Sequence, residues 1–431
     1  QNADRLPAPA MSSPPAPAGT GKQKRLPILA SRKTLVPVVF PNLDSKGCAT
    51  RPLATTKPYE KKGSRSSTLL YDAFVHNNRS TAVVILDVAP DITLYRHWYV
   101  FLNLNATWVC DWLDPKNSSR AIYSVPALLL KDHDAMWART VIVYCPLHPA
   151  TLTMNLTAFN GSKAELTYQN VRVCDEQLYT RPVETVLCSQ TMVNTVSLKL
   201  AHSWAHYHIR HVGFDLIMLY VEHPDMKLIA ENLKELIDEG RLTLISGFVK
   251  GLSGGGWSPT VRPVSEHYVF RAKGNAKWVA NNDIDEYFDF TGFSNISQVL
   301  ESIDRSHPTS VVNVMRQYWR VLPDYNVTLE DFPCTATCMQ SKGYETTCKP
   351  IFKAMDINYH FIHFATTKKM YFARPGIDRL RVNHLQFRNL HQNRHICSEE
   401  FSWADGWGSG SYADYLRNIC PPRHAPQKLT R

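Results

Sequence analysis

Three acidic side chains follow directly on an apolar run near the middle of the chain. Asp283, Asp285 and Glu286 come after residues 276–282, whose Trp-Val-Ala centre is typical of a buried strand. Carboxylates at positions i and i+2 of an extended segment point to the same side, and hard oxygen ligands of this kind suit a divalent cation. The spacing predicts a metal site at the end of a rigid element. The alternative is that the acids only cap a turn.

The segments before this cluster alternate between strand and helix patterns. Strands are predicted at 183–188, 214–220 and 242–245, and amphipathic helices at 193–212 and 226–239. An alternation of this kind indicates an α/β unit with a mostly parallel sheet and helices on its faces. A nucleotide would bind at the carboxyl ends of such strands, where the acidic cluster is expected.

The residues that precede the α/β unit show a different sequence pattern. Residues 66–178 contain short β-rich runs separated by turn-forming residues, without helical stretches. This pattern predicts a small antiparallel β-sandwich. Cys110 and Cys145 each end a strand-like run, so they could staple neighbouring strands. The aromatic residues of this module, with Trp98, Tyr99 and Trp112 as candidates, could hold a glycan; the alternative is a structural sandwich.

The first 65 residues are rich in Pro, Ala, Ser and Lys. Such a segment cannot bury enough apolar surface to offset its ordering entropy, so residues 1–65 are expected to form a disordered stem or linker. The chain contains no run of 18 apolar residues that could span a bilayer. We therefore expect any membrane anchor to lie outside the given sequence.

Charge leaves several partner classes open. The formal net charge is +10, which fits nucleic acid, a membrane surface or an anionic substrate. Much of this excess lies in the first 65 residues, where a solvated basic tail is the simpler interpretation. With 44% apolar and 20% charged residues, the chain can bury a sizeable core.

Cysteines and glycosylation sequons point to an oxidising compartment. The ten cysteines fit disulfides better than zinc, because Cys334, Cys338 and Cys348 lack a fourth ligand in frame. Chance predicts about two Asn-x-Ser/Thr sequons in a chain of this length, but seven occur. They begin at Asn78, Asn105, Asn117, Asn155, Asn160, Asn295 and Asn326. Their number indicates a glycosylating compartment and argues against a nucleic-acid partner.

Three blocks in order carry a resemblance to a known family. Residues 278–287, with Trp-Val followed by Asp-Ile-Asp-Glu-Tyr, resemble the core motif of glycosyltransferase family 92, once called domain of unknown function 23. Residues 188–220 and 348–384 are similar to its Cys…Trp…His…Gly-Val…Tyr and Lys-x-Ile…His…His patterns. The family includes plant β-1,4-galactan synthases and animal β-1,4-galactosyltransferases. Ser203 departs from the Glu that often precedes Trp204.

The resemblance implies a GT-A catalytic domain over residues 179–431. It also implies an inverting, Mn²⁺-dependent transfer of galactose from UDP-galactose to an oligosaccharide or polysaccharide acceptor. The implied setting is the Golgi lumen, as a type II membrane protein whose N-terminal anchor is missing here, with a homodimer as a possible assembly. Residues 66–178 resemble the carbohydrate-binding-like module that precedes the catalytic domain in the plant members.

Metal and donor ligands follow from the resemblance combined with residue chemistry. Asp285 is expected to bind the metal, with Asp283 contacting the metal or the ribose, and His384 completes the site in the family's order. Glu286 either supports these ligands or is a first-turn acid. The candidate donor ligands beyond Asp283 are Arg271 on the diphosphate, His363 on phosphate or acceptor, and Trp257 stacking on the sugar. The alternatives are a surface arginine, a structural histidine pair with His360, and an aromatic residue of a flexible loop without a ligand.

Inversion needs a general base to deprotonate the acceptor hydroxyl. Asp405, which lies between Trp403 and Trp407, is the first candidate, because flanking aromatics suit a sugar site and would raise its pKa by desolvation. Glu400 is the second. Two rival functions remain open: a glycoside hydrolase, which also uses paired carboxylates but on separate strands, and a non-catalytic carbohydrate-binding protein of the secretory pathway.

Overall fold

The computed structural model describes the larger part of residues 59–401. The described residues are 59–61, 64–76, 80–89, 107–130, 140–174, 181–190, 192–193, 198–222, 226–245, 257–321, 337–339, 348–357, 360–361, 364–365, 369–373, 380–385 and 400–401. All of them belong to one compact unit, residues 36–431. None of the described helices has the length and apolarity needed to cross a bilayer. The predicted boundary at 178/179 and most of the predicted stem lie outside the described residues. The end of the predicted stem is not disordered, because residues 59–61 form a strand that pairs antiparallel with residues 64–66.

The first region consists of strands. They are β1 (Tyr59–Lys61), β2 (Ser64–Val75), β3 (Thr81–Ala89), β4 (Thr107–Asp114), β5 (Asn117–Pro126), β6 (Leu128–Leu130), β7 (Thr140–Pro146), β8 (Thr153–Asn160) and β9 (Lys163–Arg172). Among the described strands they form two antiparallel sheets, ordered β1-β2-β3-β7-β6 and β5-β4-β8-β9. Apolar side chains of both sheets, such as Val84 and Leu156, share one buried cluster.

A disulfide and a buried tryptophan tie the two sheets together. Cys110 on β4 is bonded to Cys145 on β7, with their Cα atoms 6.1 Å apart. The predicted staple is therefore confirmed, although it joins strands of different sheets rather than neighbours within one. Trp112 is fully buried, and its Nε1 donates a hydrogen bond to the carbonyl of Pro146 at 2.9 Å. The prediction of Trp112 as a glycan-stacking residue is therefore wrong; its ring belongs to the core.

The second region mixes helices and strands. Its elements are β10 (Val183–Ser189), β11 (Met192–Val193), α1 (Leu198–Tyr207), a π-helical turn (His208–Val212), β12 (Leu216–Glu222), α2 (Met226–Asn232), α3 (Lys234–Asp238), β13 (Leu242–Ile245), α4 (Trp257–Ala272), β14 (Ala276–Asn282), β15 (Glu286–Phe290), α5 (Ile296–Ser306), β16 (Val311–Val321), β17 (Thr337–Met339), β18 (Cys348–Lys353), a 3₁₀ turn (Ala354–Asp356), β19 (His360–Phe361), β20 (Phe364–Ala365), β21 (Met370–Ala373), β22 (Leu380–Leu385) and β23 (Glu400–Phe401).

The central sheet of this region brings several carboxyl ends to one edge. Strands β13, β12, β10 and β14 are parallel neighbours in that order. The next strand, β18, runs antiparallel to β14 and to β16. The ends of β10 and β14 and the start of β18 therefore meet at the same edge. Strand β15 leaves this edge after a short turn and pairs antiparallel with β22.

The alternation of side chains along the strands assigns the helices to two faces of this sheet. Trp278 and Ala280 of β14 share a buried cluster with α1, α2 and α5. Val279 shares a second cluster with α4 and with apolar side chains of β2, β3 and β7, such as Phe74 and Val83. The first region thus packs against the α4 face.

A buried polar network crosses the contact between the two regions. His267 Nε2 on α4 lies 2.9 Å from Asp72 Oδ2 on β2, and Arg271 Nε donates to the same oxygen at 3.0 Å. The other ring nitrogen of His267 lies 2.6 Å from the hydroxyl of Tyr220 on β12. All four side chains are buried. We call Asp72, Tyr220, His267 and Arg271 the junction cluster.

Candidate functional site

The acidic residues form a tight turn at the carboxyl end of β14. The backbone N–H of Glu286 donates to the carbonyl of Asp283 at 3.0 Å. In return, the backbone N–H of Asp283 donates to Glu286 Oε2 at 3.0 Å. These two bonds lock the turn, so that its side chains are held at the edge of the sheet instead of on a free loop.

Glu286 is the buried anchor of the site. Its carboxylate has no exposed surface and lies 2.6 Å from Lys349 Nζ and 3.1 Å from Arg316 Nη1. Burial alone would raise the pKa of Glu286, but the positive charges of Lys349, His384 and Arg316 more than offset it and lower that pKa to about 2. Glu286 is therefore ionised and serves to hold two cations in place.

Asp283 shares the ammonium group of Lys349, which lies 3.0 Å from Asp283 Oδ2. Burial, together with the negative charges of Glu286 and Asp285, raises the pKa of Asp283, while Lys349 opposes this rise. Conversely, burial would lower the pKa of Lys349, but Asp283 and Glu286 reverse this and raise it. The lysine is thus a fixed positive charge beneath the turn.

Asp285 and His384 meet in the accessible part of the cluster, where the Asp283 side chain also keeps 28% of its surface exposed. Strand register places Glu286 opposite His384, so the imidazole on β22 reaches the turn. His384 Nε2 lies 3.5 Å from Asp285 Oδ2, and the two side chains keep 14% and 26% of their surface exposed. Burial would lower the pKa of His384, but the hydrogen bond to Asp285 and the negative charges of Glu286 and Asp285 raise it. We call Asp283, Asp285, Glu286, Arg316, Lys349 and His384 the edge cluster.

The donor set at this edge fits a divalent cation in part. A carboxylate oxygen and an imidazole nitrogen close together on an accessible surface are a common mixed ligand pair for Mn²⁺ or a similar ion. Asp283 lies in the same turn, with one oxygen engaged by Lys349. Within the described ranges, no group of three or more His, Cys, Asp or Glu side chains is arranged to hold a metal ion. The structure therefore brings Asp285 and His384 together and does not complete a three-residue site.

Unpartnered amides lie beside the edge cluster. Asn281, near the end of β14, is fully buried, and Gln190 directly follows β10 and is 3% exposed. In the part of the chain that the structure describes, neither amide has a hydrogen-bond partner for its oxygen or its nitrogen. Register places Cys188 opposite Asn281, so the two amides lie on the same face of adjacent strands. Buried polar groups normally find partners, and amides of this kind are available to a polar ligand.

The structure does not bring Arg271 to this edge. Arg271 lies just before the start of β14 and is bound to Asp72, whereas Asp283 follows the last residue of β14. Seven strand residues span about 20 Å, so the guanidinium and the acidic turn lie at opposite ends of the strand. Its predicted diphosphate contact has no support from this position.

The remaining predicted residues are only partly described. Trp257 is the first residue of α4, and Glu400 pairs through its backbone with β17; the positions of their side chains are not described. His363 and Asp405 lie outside the described residues. The predicted sugar-stacking, phosphate and general-base roles therefore stay predictions.

Sequence reasoning named Lys349 only as part of the family's Lys-x-Ile pattern, without a role, and missed Arg316. Each is a buried charged residue in a strand, β18 or β16, that also contributes buried apolar side chains. A charge at such a position rarely persists without a partner of opposite sign. That signal could have indicated two cations facing the acidic turn.

Comparisons with known proteins add little to this geometry. No protein-family model matches the sequence, and no curated protein matches it. Among solved structures, the chain has a likeness to 4-diphosphocytidyl-2C-methyl-D-erythritol synthase from Anaerococcus prevotii DSM 20548. The sequences are 10% identical, the likeness covers 47% of this chain and 92% of that one, and the TM-score is 0.24. A TM-score this low carries no argument about fold or function.

Proposed function

We propose that the protein is a metal-dependent glycosyltransferase that moves a sugar from a nucleotide donor to a carbohydrate acceptor. The observation that supports this proposal best is the pairing of Asp285 with His384 at the carboxyl edge of the parallel strands. There a charge-compensated turn leaves these two ligands accessible while Glu286 is fully buried. Ligands of α/β proteins bind at this edge of the sheet.

Each residue of the edge cluster has a role in the proposal. Asp285 and His384 would hold a divalent cation, and a cation bound there would supply positive charge to the diphosphate leaving group. Asp283, oriented by Lys349, accepts a hydrogen bond from the donor's ribose. Glu286 and Arg316 keep the turn and His384 in register. The amides of Asn281 and Gln190 offer donors and acceptors to the same ligand.

The finer assignment rests on the resemblance to glycosyltransferase family 92. It comprises a GT-A fold, galactose as the transferred sugar, UDP-galactose as donor, Mn²⁺ as metal and inversion at the anomeric carbon. Asp405 or Glu400 would then take the proton of the acceptor hydroxyl. The proposed location is the Golgi lumen, where a glycan acceptor and an oxidising environment for Cys110–Cys145 coincide.

A donor panel tests the proposal. The full chain is incubated with UDP-sugars and GDP-sugars and a mixed oligosaccharide acceptor, with Mn²⁺ or with EDTA, and products are read by mass spectrometry. We expect transfer from UDP-galactose that EDTA abolishes and Mn²⁺ restores. Asp285→Asn should reduce the rate at least about 100-fold, because metal stabilisation of the leaving group contributes several kcal/mol.

A matched control guards this experiment. Asp238→Asn removes an exposed carboxylate on α3 that pairs with Lys234 at the surface, so its activity should equal that of the unaltered protein. Equal activity of Asp285→Asn and Asp238→Asn would contradict the metal assignment. Binding of oligosaccharide without any nucleotide turnover would instead favour the alternative, a non-catalytic carbohydrate-binding protein.

A further inference from the structure

We propose that Asn117 carries an N-linked glycan, and that this glycan covers the open edge of β5. The proposal uses the proposed secretory location but not the proposed transfer activity. It concerns the first region of the molecule, whose surface the edge cluster does not involve. The structure describes the side chains of three sequon asparagines, Asn117, Asn155 and Asn295.

Asn117 is exposed and already adopts a turn closed by its own sequon. Its Oδ1 accepts a hydrogen bond from the backbone N–H of Ser119 at 3.1 Å and another from the hydroxyl of Ser119 at 2.6 Å. This is an Asx turn. Asn117 is exposed, and both bonds use its amide oxygen, so neither of them occupies the amide nitrogen, which is the atom that would carry the sugar.

The backbone around Asn117 also leaves room for a bulky group. Register jumps from Leu113↔Ala121 to Asp114↔Asn117, so residues 118–120 bulge out of the ladder between β4 and β5. All residues of β5 from 117 to 124 are exposed. A glycan attached while the chain is unfolded can stay only where the folded chain accommodates it, and this bulge does so.

The two other described sequon side chains are less suitable. Asn155 lies in the middle of β8, between β4 and β9, and its Oδ1 accepts from the backbone of Asn170 at 2.9 Å. Asn295 caps α5 by accepting from the backbone N–H of Gln298 at 3.0 Å. Both are partly buried. A sugar attached to Asn155 or Asn295 would collide with neighbouring elements, so these two sequons should carry a glycan in fewer molecules.

Covering β5 has a physical purpose. Among the described strands, β5 pairs only with β4, so it forms an edge of its sheet. It also exposes two consecutive apolar side chains, Ile122 and Tyr123, the latter 43% exposed. An exposed edge strand with apolar residues is a template for pairing with another chain. A hydrophilic glycan at the start of this strand opposes such pairing.

Attachment of the glycan forms one bond to Asn117 and breaks one bond in the sugar donor. The Asn117 amide nitrogen attacks the anomeric carbon of a lipid-linked oligosaccharide diphosphate. A carbon–nitrogen bond forms, the bond from the anomeric carbon to the diphosphate oxygen breaks, and the lipid diphosphate leaves. The amide proton passes to a base of the host transferase. Ser119 contributes the hydroxyl that the sequon requires.

Occupancy is the direct test. The full chain is expressed in animal cells, treated with a peptide-N-glycosidase in ¹⁸O-water and digested, and mass spectrometry counts the labelled aspartate at each sequon. We expect Asn117 to be occupied in most molecules and more highly than Asn155 or Asn295. Occupied sequons elsewhere with an unmodified Asn117 would overturn the proposal while leaving the secretory location intact. No occupancy at any sequon would overturn both.

Self-association tests the covering role with matched variants. Asn117→Gln and Ser119→Ala both remove the sequon, whereas Ser119→Thr preserves it. At equal concentration, light scattering should show larger species for the first two variants and an unchanged mass for Ser119→Thr. If all three remain the same size up to high concentration, the glycan does not shield β5.

Discussion

Two buried charge clusters among the described residues, the junction cluster and the edge cluster, use similar residues in opposite ways. In the junction cluster, Asp72 is 5% exposed and its carboxylate is enclosed by His267 and Arg271. In the edge cluster, Glu286 is equally enclosed by Lys349 and Arg316, but Asp285 and His384 reach the surface. Strongly interacting buried charges therefore do not identify a site by themselves. Under the proposed function, the accessible side chains of Asp285 and His384 beside them mark the site.

The difference also appears in the neighbouring polar groups. Asp72 binds the imidazole and guanidinium around it, so the junction cluster is a closed network. Beside the edge cluster, the amides of Gln190 and Asn281 have no partner within the described part of the chain. A buried network that joins two regions needs all its hydrogen bonds made within the protein, whereas a network that binds a ligand leaves some polar groups without a protein partner. The variants below test this contrast.

Removing Asp72 should have the largest effect on stability. Asp72→Ala leaves Arg271 buried without its carboxylate, and breaking such a pair costs about 3–5 kcal/mol. The free energy of unfolding, measured in urea, should fall by that amount. The control is Glu184→Ala, which removes the exposed partner of Lys277 at 3.1 Å and should cost about 0–1 kcal/mol. Equal losses of unfolding free energy in the two variants would show that the junction cluster does not stabilise the contact between the two regions.

The loss of stability at acidic pH should come from His208, a buried side chain whose two ring nitrogens both have partners. Its Nδ1 lies 2.9 Å from the carbonyl of Trp204, and its Nε2 accepts from the backbone N–H of Phe288. Burial lowers the pKa of His208 to about 3, and the bond to Trp204 only partly opposes this. The folded state thus holds the neutral ring, while the unfolded chain binds a proton near pH 6.5.

The sign of the pH effect follows from these two pKa values. Below about pH 6.5 the unfolded state binds more protons, so the free energy of unfolding falls with falling pH until about pH 3. The slope approaches about 1.4 kcal/mol per pH unit, and the loss between pH 6.5 and 4.5 integrates to about 2 kcal/mol. Urea unfolding of His208→Gln should show a flatter profile than the unaltered protein. Parallel profiles would refute the assignment of this slope to His208.

Gly213 and Gly240 offer a smaller, paired test of packing in the α/β region. Both have positive φ, at +80° and +67°. A Cβ on Gly213 would lie 2.7 Å from Asn295 Cβ, whereas one on Gly240 meets nothing within 4 Å. Gly240→Ala should cost about 1 kcal/mol for backbone strain alone, and Gly213→Ala about 1–3 kcal/mol more. Equal decreases in Tm for the two variants would mean that Asn295 moves aside without a loss of stability.

Local patterns predicted what depends on neighbours in sequence. The acids of the turn were visible because they interrupt an apolar strand, and the Cys110–Cys145 bond because each cysteine ends a strand-like run. His384 was assigned from the family's order, and strand register explains its position, since it lies opposite Glu286. These features can be predicted from the positions of the strands and the polarity of their residues.

Features that depend on distant pairing were not predictable in this way. Lys349 reaches the turn because β18 runs antiparallel to β14, a pairing that no local pattern specifies. Arg271 is close to Asp283 in sequence but lies at the other end of β14, because a helix end and a whole strand separate them. The sequence does not show which of the aromatic candidates Trp98, Tyr99 and Trp112 are core, and only the pairing of the strands places the Trp112 indole between the sheets.

Metal-dependent binding of the nucleotide tests the central claim most directly. Calorimetry would measure the Kd of UDP with and without Mn²⁺ for the unaltered protein, Asp285→Asn and Asp238→Asn. If Asp285 is a metal ligand at the nucleotide edge, Mn²⁺ should tighten UDP binding at least about tenfold, or 1.4 kcal/mol, in the unaltered protein and in Asp238→Asn. It should leave Asp285→Asn unchanged. The same Mn²⁺ effect in all three proteins, or no UDP binding by any of them, would contradict the account.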